Sequence, residues 1–254
     1  SRLYGSLQDY SISRKKIKPF ISKFDIDMND YLPEDGRSES DPYSSFNQFF
    51  IRRFKQGKRI FSDSCDKFGA PAEARYYAYE SLSDSDLIPI KGSLLSPREI
   101  IKDERWFPDF AQGPVLLARL CPVDYHRYHF PDNGSFLDSY PIKGKYHSVN
   151  PSALKWKPEI FAENERHVSI LKTDNFGKLA YVEVGAMMVG KIVQTSKRNY
   201  FSKGEEKGYF LFGGSTVIIF GEKGRWKPDE DILKNTIKGI ETYLQLGESC
   251  GKKI

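Results

Sequence analysis

Two of the four histidines, His126 and His129, fall within one stretch, Asp124-Tyr125-His126-Arg127-Tyr128-His129-Phe130-Pro131. Imidazole titrates nearest neutrality, so either ring can serve as a general base. Residues three apart on a straight strand face opposite sides, so joint action at one site requires a bend or a helical turn. No third His, Cys or carboxylate stands at a familiar ligand spacing, so no metal is expected. A second stretch, Leu211-Phe212-Gly213-Gly214-Ser215-Thr216-Val217, sets two glycines between apolar runs. Glycine permits dihedrals closed to other residues, so the peptide bond entering Ser215 can be strained and closely approached. That suits a reactive bond, and equally an ordinary turn or bulge. In the third stretch, Gly69-Ala70-Pro71-Ala72-Glu73-Ala74-Arg75, Glu73 sits among small residues before an apolar run and by itself is an ordinary acid.

The elements that must position these residues are short. From Phe68 onward, apolar runs punctuated by Gly, Pro, Asn and Asp read as strands: Arg75 to Ser81, Val115 to Leu120, Gly134 to Tyr140, Val168 to Lys172, Leu179 to Val184, Lys191 to Thr195 and Tyr209 to Phe220. Val168 to Lys172 and Leu179 to Val184 form an expected hairpin. Ser96-Pro97-Arg98-Glu99 reads as a capping box opening a helix that Pro108 closes. A C-terminal helix follows Pro228, with Asp229, Glu230 and Asp231 in its first turn, an apolar stripe of Leu233, Ile237, Ile240 and Leu244, and Gly247 as its stop. Ile12 to Phe24 has helical content, and Asp25 to Ser45 is acidic and turn-rich. The fold class expected is α+β, with a mainly antiparallel β core, an N-terminal helical region and a C-terminal helix.

The 254 residues, 39% hydrophobic and 29% charged, suffice for a sizeable core and exclude disorder. No apolar run reaches the roughly 18 residues of a membrane-spanning helix. Three cysteines, Cys65, Cys121 and Cys250, fit a reducing compartment better than a disulfide framework. The chain opens at Ser1 without Met or a leader pattern, which leaves open a native leader removed ahead of it. The net charge of +5 is unevenly spread: Ser1 to Phe24 carries six basic residues against Asp9. Phe46 to Phe61 interleaves Phe46, Phe49, Phe50 and Phe54 with Arg52, Arg53, Lys55, Lys58 and Arg59, without an acid. Such runs suit an anionic membrane surface or nucleic acid, or a helix whose rings pack inward while its charges are solvated.

These motifs, in this order and spacing, resemble the phosphatidylserine decarboxylases over nearly the whole chain. The resemblance begins at Ser13-Arg14-Lys15-Lys16-Ile17-Lys18-Pro19-Phe20 and Ser44 to Arg53, and passes through Asp124 to Pro131, Tyr146-His147-Ser148-Val149-Asn150-Pro151 and Val182-Glu183-Val184-Gly185-Ala186. It closes on Phe212-Gly213-Gly214-Ser215-Thr216 and Lys238-Gly239-Ile240-Glu241-Thr242. In one place the chain departs from the family: the turn that normally reads Ser-Pro-x-Asp-Gly here holds Glu73 between Ala72 and Ala74.

The resemblance implies a single decarboxylase-like domain over 1–254, in which 1–67 is helical and membrane-facing and 68–254 is the β-rich catalytic core. It implies a proenzyme that cuts itself between Gly214 and Ser215, giving chains 1–214 and 215–254. Ser215 then becomes a pyruvoyl group, the electron sink that removal of an α-carboxylate requires. By the family's pattern His129 is the base that activates Ser215 and Glu73 stands in for its orienting Asp, with Asp124 next in line. His126 contacts the substrate and donates a proton while decarboxylation proceeds through a Schiff base. The partners implied are phosphatidylserine, converted to phosphatidylethanolamine, and an anionic membrane surface on the reducing, cytoplasmic face. Nucleic acid is not expected, and a homodimer stays open. The alternatives are a pyruvoyl-dependent decarboxylase of a free amino acid, and a binding homologue that never matures.

Overall fold

The computed structural model describes residues 7–81, 97–144, 152, 163–185, 191–213 and 215–254. Ser96, the 146–151 motif, Ala186 and Gly214, singled out above, lie outside the described residues. An eight-stranded sheet runs in the order Tyr200–Phe201, Gly134–Ile142, Arg166–Thr173, Lys178–Gly185, Ser215–Gly221, Val115–Leu120, Ala74–Tyr79 and Thr242–Leu244. Every pairing in it is antiparallel. The expected hairpin is present as Arg166–Thr173 against Lys178–Gly185. Its turn closes where the Thr173 hydroxyl donates to the Gly177 carbonyl (2.6 Å) and accepts from the Phe176 N–H (3.1 Å).

The apolar runs are continuous rather than alternating because both faces of this sheet are covered. On the strand Ser215–Gly221, Val217 and Ile219 enter one core with Tyr128, Tyr181, Phe210 and Trp226, whereas Ile218 and Phe220 enter the other with Ile100, Phe110 and Val182. Two three-stranded sheets supply the first cover: Ile192–Gln194, Glu206–Phe210 and Arg127–His129, and Trp226–Pro228, Ser249–Lys253 and Lys67–Gly69. Short helices at Pro97–Ile101 and Phe107–Phe110 supply the second. The α+β reading with its N- and C-terminal helices therefore holds.

Several local expectations need correction. The helix that Pro108 was expected to close ends at Ile101, and Pro108 lies inside a separate 3-10 turn, Phe107–Phe110. Tyr209 to Phe220, expected as one strand, is two, Glu206–Phe210 and Ser215–Gly221, in different sheets. The C-terminal helix spans only Glu230–Ile237 and buries Ile232; Ile237 and Ile240 are 88% and 53% exposed. Gly239, at φ +71°, turns the chain, and Leu244 lies in the strand Thr242–Leu244. A periodic apolar stripe had bridged a helix, a turn and an edge strand.

The first half of the basic aromatic run, Phe46 to Arg52, is largely internal, whereas Lys58 and Ile60 in its second half are exposed. The helix Phe46–Phe50 buries Phe46, Phe49 and Phe50 against Ile17, Phe20 and Tyr43, each ring contributing about 2 kcal/mol. Its Ser45 cap accepts from the Gln48 N–H. Arg52 is 2% exposed, donates to the Val123 carbonyl (3.0 Å) and lies over the Tyr31 ring. Arg53, Lys55, Lys58 and Arg59 pair with Asp35, Glu39, Asp30 and Glu73. The acidic segment after Phe24 thus neutralises the second basic run. The first run differs: Ser11–Lys16 and the helix Ile17–Phe24 leave Lys15, Lys18 and Lys23 exposed. Among the described residues, no helix is long and apolar enough to cross a membrane.

Candidate active site

Ser215 begins its strand at the point where the chain leaves the Phe212-Gly213 turn, and it pairs with Leu120 on one side and Gly185 on the other. Gly213, at φ +155°, lies in a region that residues with a side chain rarely adopt. Ser215 is fully buried, and its Oγ stands 3.2 Å from Nδ1 of His126. The other ring nitrogen, Nε2, is 2.9 Å from the Cys121 carbonyl oxygen. A carbonyl can only accept, so Nε2 carries the proton and Nδ1 is left to accept from the serine hydroxyl. That is the tautomer a base for Ser215 requires.

The ring is fixed on its face as well as at its edge. Phe50 stacks on His126 at 3.8 Å between centroids and 21° between planes. Phe212 packs edge-on against Phe46 and Phe50, and its N–H donates to Asn47 Oδ1 (3.0 Å). The helix Phe46–Phe50 thereby walls in the pair. Burial, with the nearby Arg52 charge, pushes the His126 pKa down to about 3, so the imidazole is neutral at any physiological pH.

The carbonyl that orients His126 belongs to a turn with its own lock. The Asp124 N–H donates to the Cys121 carbonyl (2.9 Å), and the Cys121 N–H donates to Asp124 Oδ2 (2.6 Å). Arg75 donates to both carboxylate oxygens of Asp124, at 2.7 and 3.0 Å. Asp124 therefore acts on His126 through the backbone. Sequence reading named Asp124 only as a reserve and missed Arg75 and Cys121; a backbone carbonyl leaves no mark in residue types.

His126 and His129 do not converge. Arg127–His129 is strand, and no bend brings the second ring back. His129 Nδ1 is 2.8 Å from the Gly204 carbonyl oxygen, so it carries the proton, and Nε2 is 3.3 Å from the Tyr125 hydroxyl. Burial also lowers the His129 pKa. Glu73 is engaged elsewhere: Arg59 donates to its two oxygens at 2.6 and 3.1 Å, and the Tyr243 hydroxyl donates to Oε1 at 3.0 Å. The expected pairing of Glu73 with His129, and of His129 with Ser215, is not what this structure holds. The ring within hydrogen-bond reach of Ser215 is that of His126, for which a substrate contact had been expected.

The Phosphatidylserine decarboxylase family model matches residues 46–252. The chain is similar to proteins named phosphatidylserine decarboxylase proenzyme in several bacteria. It is 44% identical to that of Ruminiclostridium cellulolyticum over 255 residues, covering all of this chain and 83% of the relative. The corresponding values are 42% for Clostridium tetani, covering 84% of the relative, and 44% for Clostridium perfringens, covering 85%.

Proposed function

The chain belongs to the phosphatidylserine decarboxylase family, and from that premise we propose that it cuts its own backbone between Gly214 and Ser215 and then removes the serine carboxyl group of phosphatidylserine. The observation that carries the reading is the buried Ser215 hydroxyl facing the unprotonated Nδ1 of a neutral His126. In water a serine hydroxyl is a poor nucleophile; an imidazole that accepts its proton removes that limitation.

In the proposed cleavage, His126 Nδ1 takes the hydroxyl proton while Ser215 Oγ attacks the Gly214 carbonyl carbon. The peptide nitrogen of Ser215 leaves as an amine and an ester joins the two segments. Loss of the Ser215 α-proton expels the Gly214 carboxylate, and water releases ammonia from the dehydrated residue, leaving a pyruvoyl end. The residues present fit that product. Gly185 faces Ser215 without a side chain, Gly213 holds the approach, and Phe50 and Phe212 exclude water. When formed, the pyruvoyl group supplies the carbonyl that accepts the electrons freed by decarboxylation. His126, fixed through Nε2–H to Cys121, keeps Nδ1 as the atom that holds or returns a proton.

Intact-mass measurement of freshly made protein tests this. The expected result is a fragment ending at Gly214 and a second running from position 215 to Ile254, the latter lighter by one ammonia than a fragment with a free Ser215 amine. A free Ser215 amine removes the pyruvoyl step, and a chain that stays whole removes the cleavage.

Docking on an anionic membrane is supported most by the first basic run. Leu7, Tyr10, Ile12 and Phe24 are 47%, 63%, 68% and 44% exposed on the same segment as the exposed Lys15, Lys18 and Lys23. Apolar groups that dip into the headgroup layer beside lysines that meet its charge make a peripheral lipid-binding surface. Reversing charge at Lys15, Lys18 and Lys23 is expected to weaken flotation with phosphatidylserine vesicles, each lysine contributing about 1 kcal/mol. The same reversal at Lys55 and Lys58, already paired internally, is expected to have the smaller effect. Flotation that follows Lys55 and Lys58 instead assigns docking to the second run.

A further inference from the structure

Lys207 is a fully buried lysine that the proposed chemistry does not use. It lies on the strand Glu206–Phe210, which leads directly into the Phe212-Gly213 turn before Ser215. Against Arg127–His129, Glu206 faces His129 and Gly208 faces Tyr128, so Lys207 is the extra residue of a β-bulge. The bulge turns its side chain inward, where Nζ donates to Glu183 Oε1 at 2.5 Å and to Gln194 Oε1 at 2.9 Å. Gln194 Nε2 closes the triangle by donating to Glu183 Oε2 at 3.1 Å. His167 Nδ1 stands 3.6 Å from the same carboxylate, and Nζ lies 5.0 Å from the centre of the Tyr181 ring. Both side chains of the ion pair are 0% exposed.

Glu183 belongs to the strand that flanks Ser215. It pairs with Val217 while Gly185 pairs with Ser215, so Glu183 is the diagonal neighbour of Ser215 on the same sheet face. The ion pair thus joins the segment that enters the scissile turn to the strand Lys178–Gly185, which lies beside Ser215–Gly221, the strand that receives the chain after the turn. A buried pair of charges is a poor stabiliser, because desolvation offsets most of the attraction, and apolar replacements of similar size often fold as well or better. Its physical advantage is selectivity. A one-residue slip of Glu206–Phe210 reverses which side chains face the core, and it carries Lys207 away from a carboxylate that then stays buried without a counter-charge. Ser215–Gly221 is held between two neighbouring strands, so any slip is absorbed by the turn, where the Ser215–His126 contact sits.

We propose that the buried Lys207–Glu183 pair is a positioning device for self-cleavage, fixing the register of Glu206–Phe210 so that the Gly214–Ser215 bond is presented to His126. This rests on the reading that the chain cuts itself there.

The test is a time course of chain splitting, with thermal unfolding, for the parent, Lys207→Arg, and the double variant Lys207→Met with Glu183→Gln, which leaves no lone buried charge. The double variant is expected to unfold at or above the parental midpoint yet split at least about tenfold more slowly, as misplacements on the order of 1 Å do in active sites. Lys207→Arg, which retains the charge, is expected to split within a few-fold of the parent. A stable double variant that splits at the parental rate overturns the proposal. If that variant does not fold, Lys207→Met with Glu183→Leu is read in the same way, and failure of both to fold makes the pair a stability element and also overturns it. A parent that never splits overturns the cleavage reading itself, and this inference with it.

Discussion

Replacing His126 by Ala is expected to leave the 254-residue chain whole, whereas His129→Ala splits at close to the parental rate. The two rings are only three residues apart, but the strand sends them to different partners: His126 to Ser215, and His129 to the Gly204 carbonyl and Tyr125. A positioned base contributes about 10²- to 10⁴-fold, so loss of His126 is expected to slow cleavage by about that factor. The pH dependence follows the same geometry. The neutral imidazole is the active form, and with a pKa of about 3 it stays neutral as pH falls. Cleavage is therefore expected to hold its rate from neutrality down to about pH 5, where an ordinary histidine near 6.5 is mostly protonated and inactive. Electrophoresis of both variants over time, with the parent followed across that pH range, decides it. A stalled His129→Ala beside a splitting His126→Ala reverses the assignment.

How far the sequence foretold this site depends on the kind of contact. Most strands of the eight-stranded sheet were legible because turn residues bracket their apolar runs, and the hairpin at 173–178 was legible from its Asp-Asn-Phe-Gly link. Tyr209 to Phe220 was not, because one apolar run in the sequence serves two strands in different sheets. The site residues were legible as motifs. Their assignment was not, because which histidine reaches Ser215 depends on how Arg127–His129 sits against Glu206–Phe210, a pairing almost eighty residues apart in the chain. The orienting group was illegible for a different reason: it is the carbonyl of Cys121, held by Asp124 and Arg75, and every residue has a carbonyl. The run at 46–61 misled because its charges meet acids from Asp30 to Glu39 and at Glu73, and composition within one window carries no trace of a partner elsewhere.

Glu73→Gln is expected to lower stability by about 2 to 3 kcal/mol while the folded fraction still splits near the parental rate. Glu73 accepts from Arg59 through both oxygens and from Tyr243, and the side chains of the ion pair are only 6% and 13% exposed. Breaking a buried pair by neutralising one partner costs about 3 to 5 kcal/mol, reduced here because Arg59 keeps Asp30 at 3.3 Å and some access to water. What loosens is the docking of the 54–61 segment on the Ala70–Ala74 turn, not the imidazole at Ser215. Glu73→Asp, which brings back the family's residue, keeps the charge but shortens the reach across Arg59 and Tyr243. It too is expected to cost stability rather than speed cleavage. Urea unfolding of uncut Ser215→Ala chains carrying each change, with splitting time courses in the Ser215 chains, separates the two roles. If Glu73→Gln unfolds like its parent yet splits slowly, the carboxylate acts on the chemistry, and the Arg59 pairing is incidental to its role.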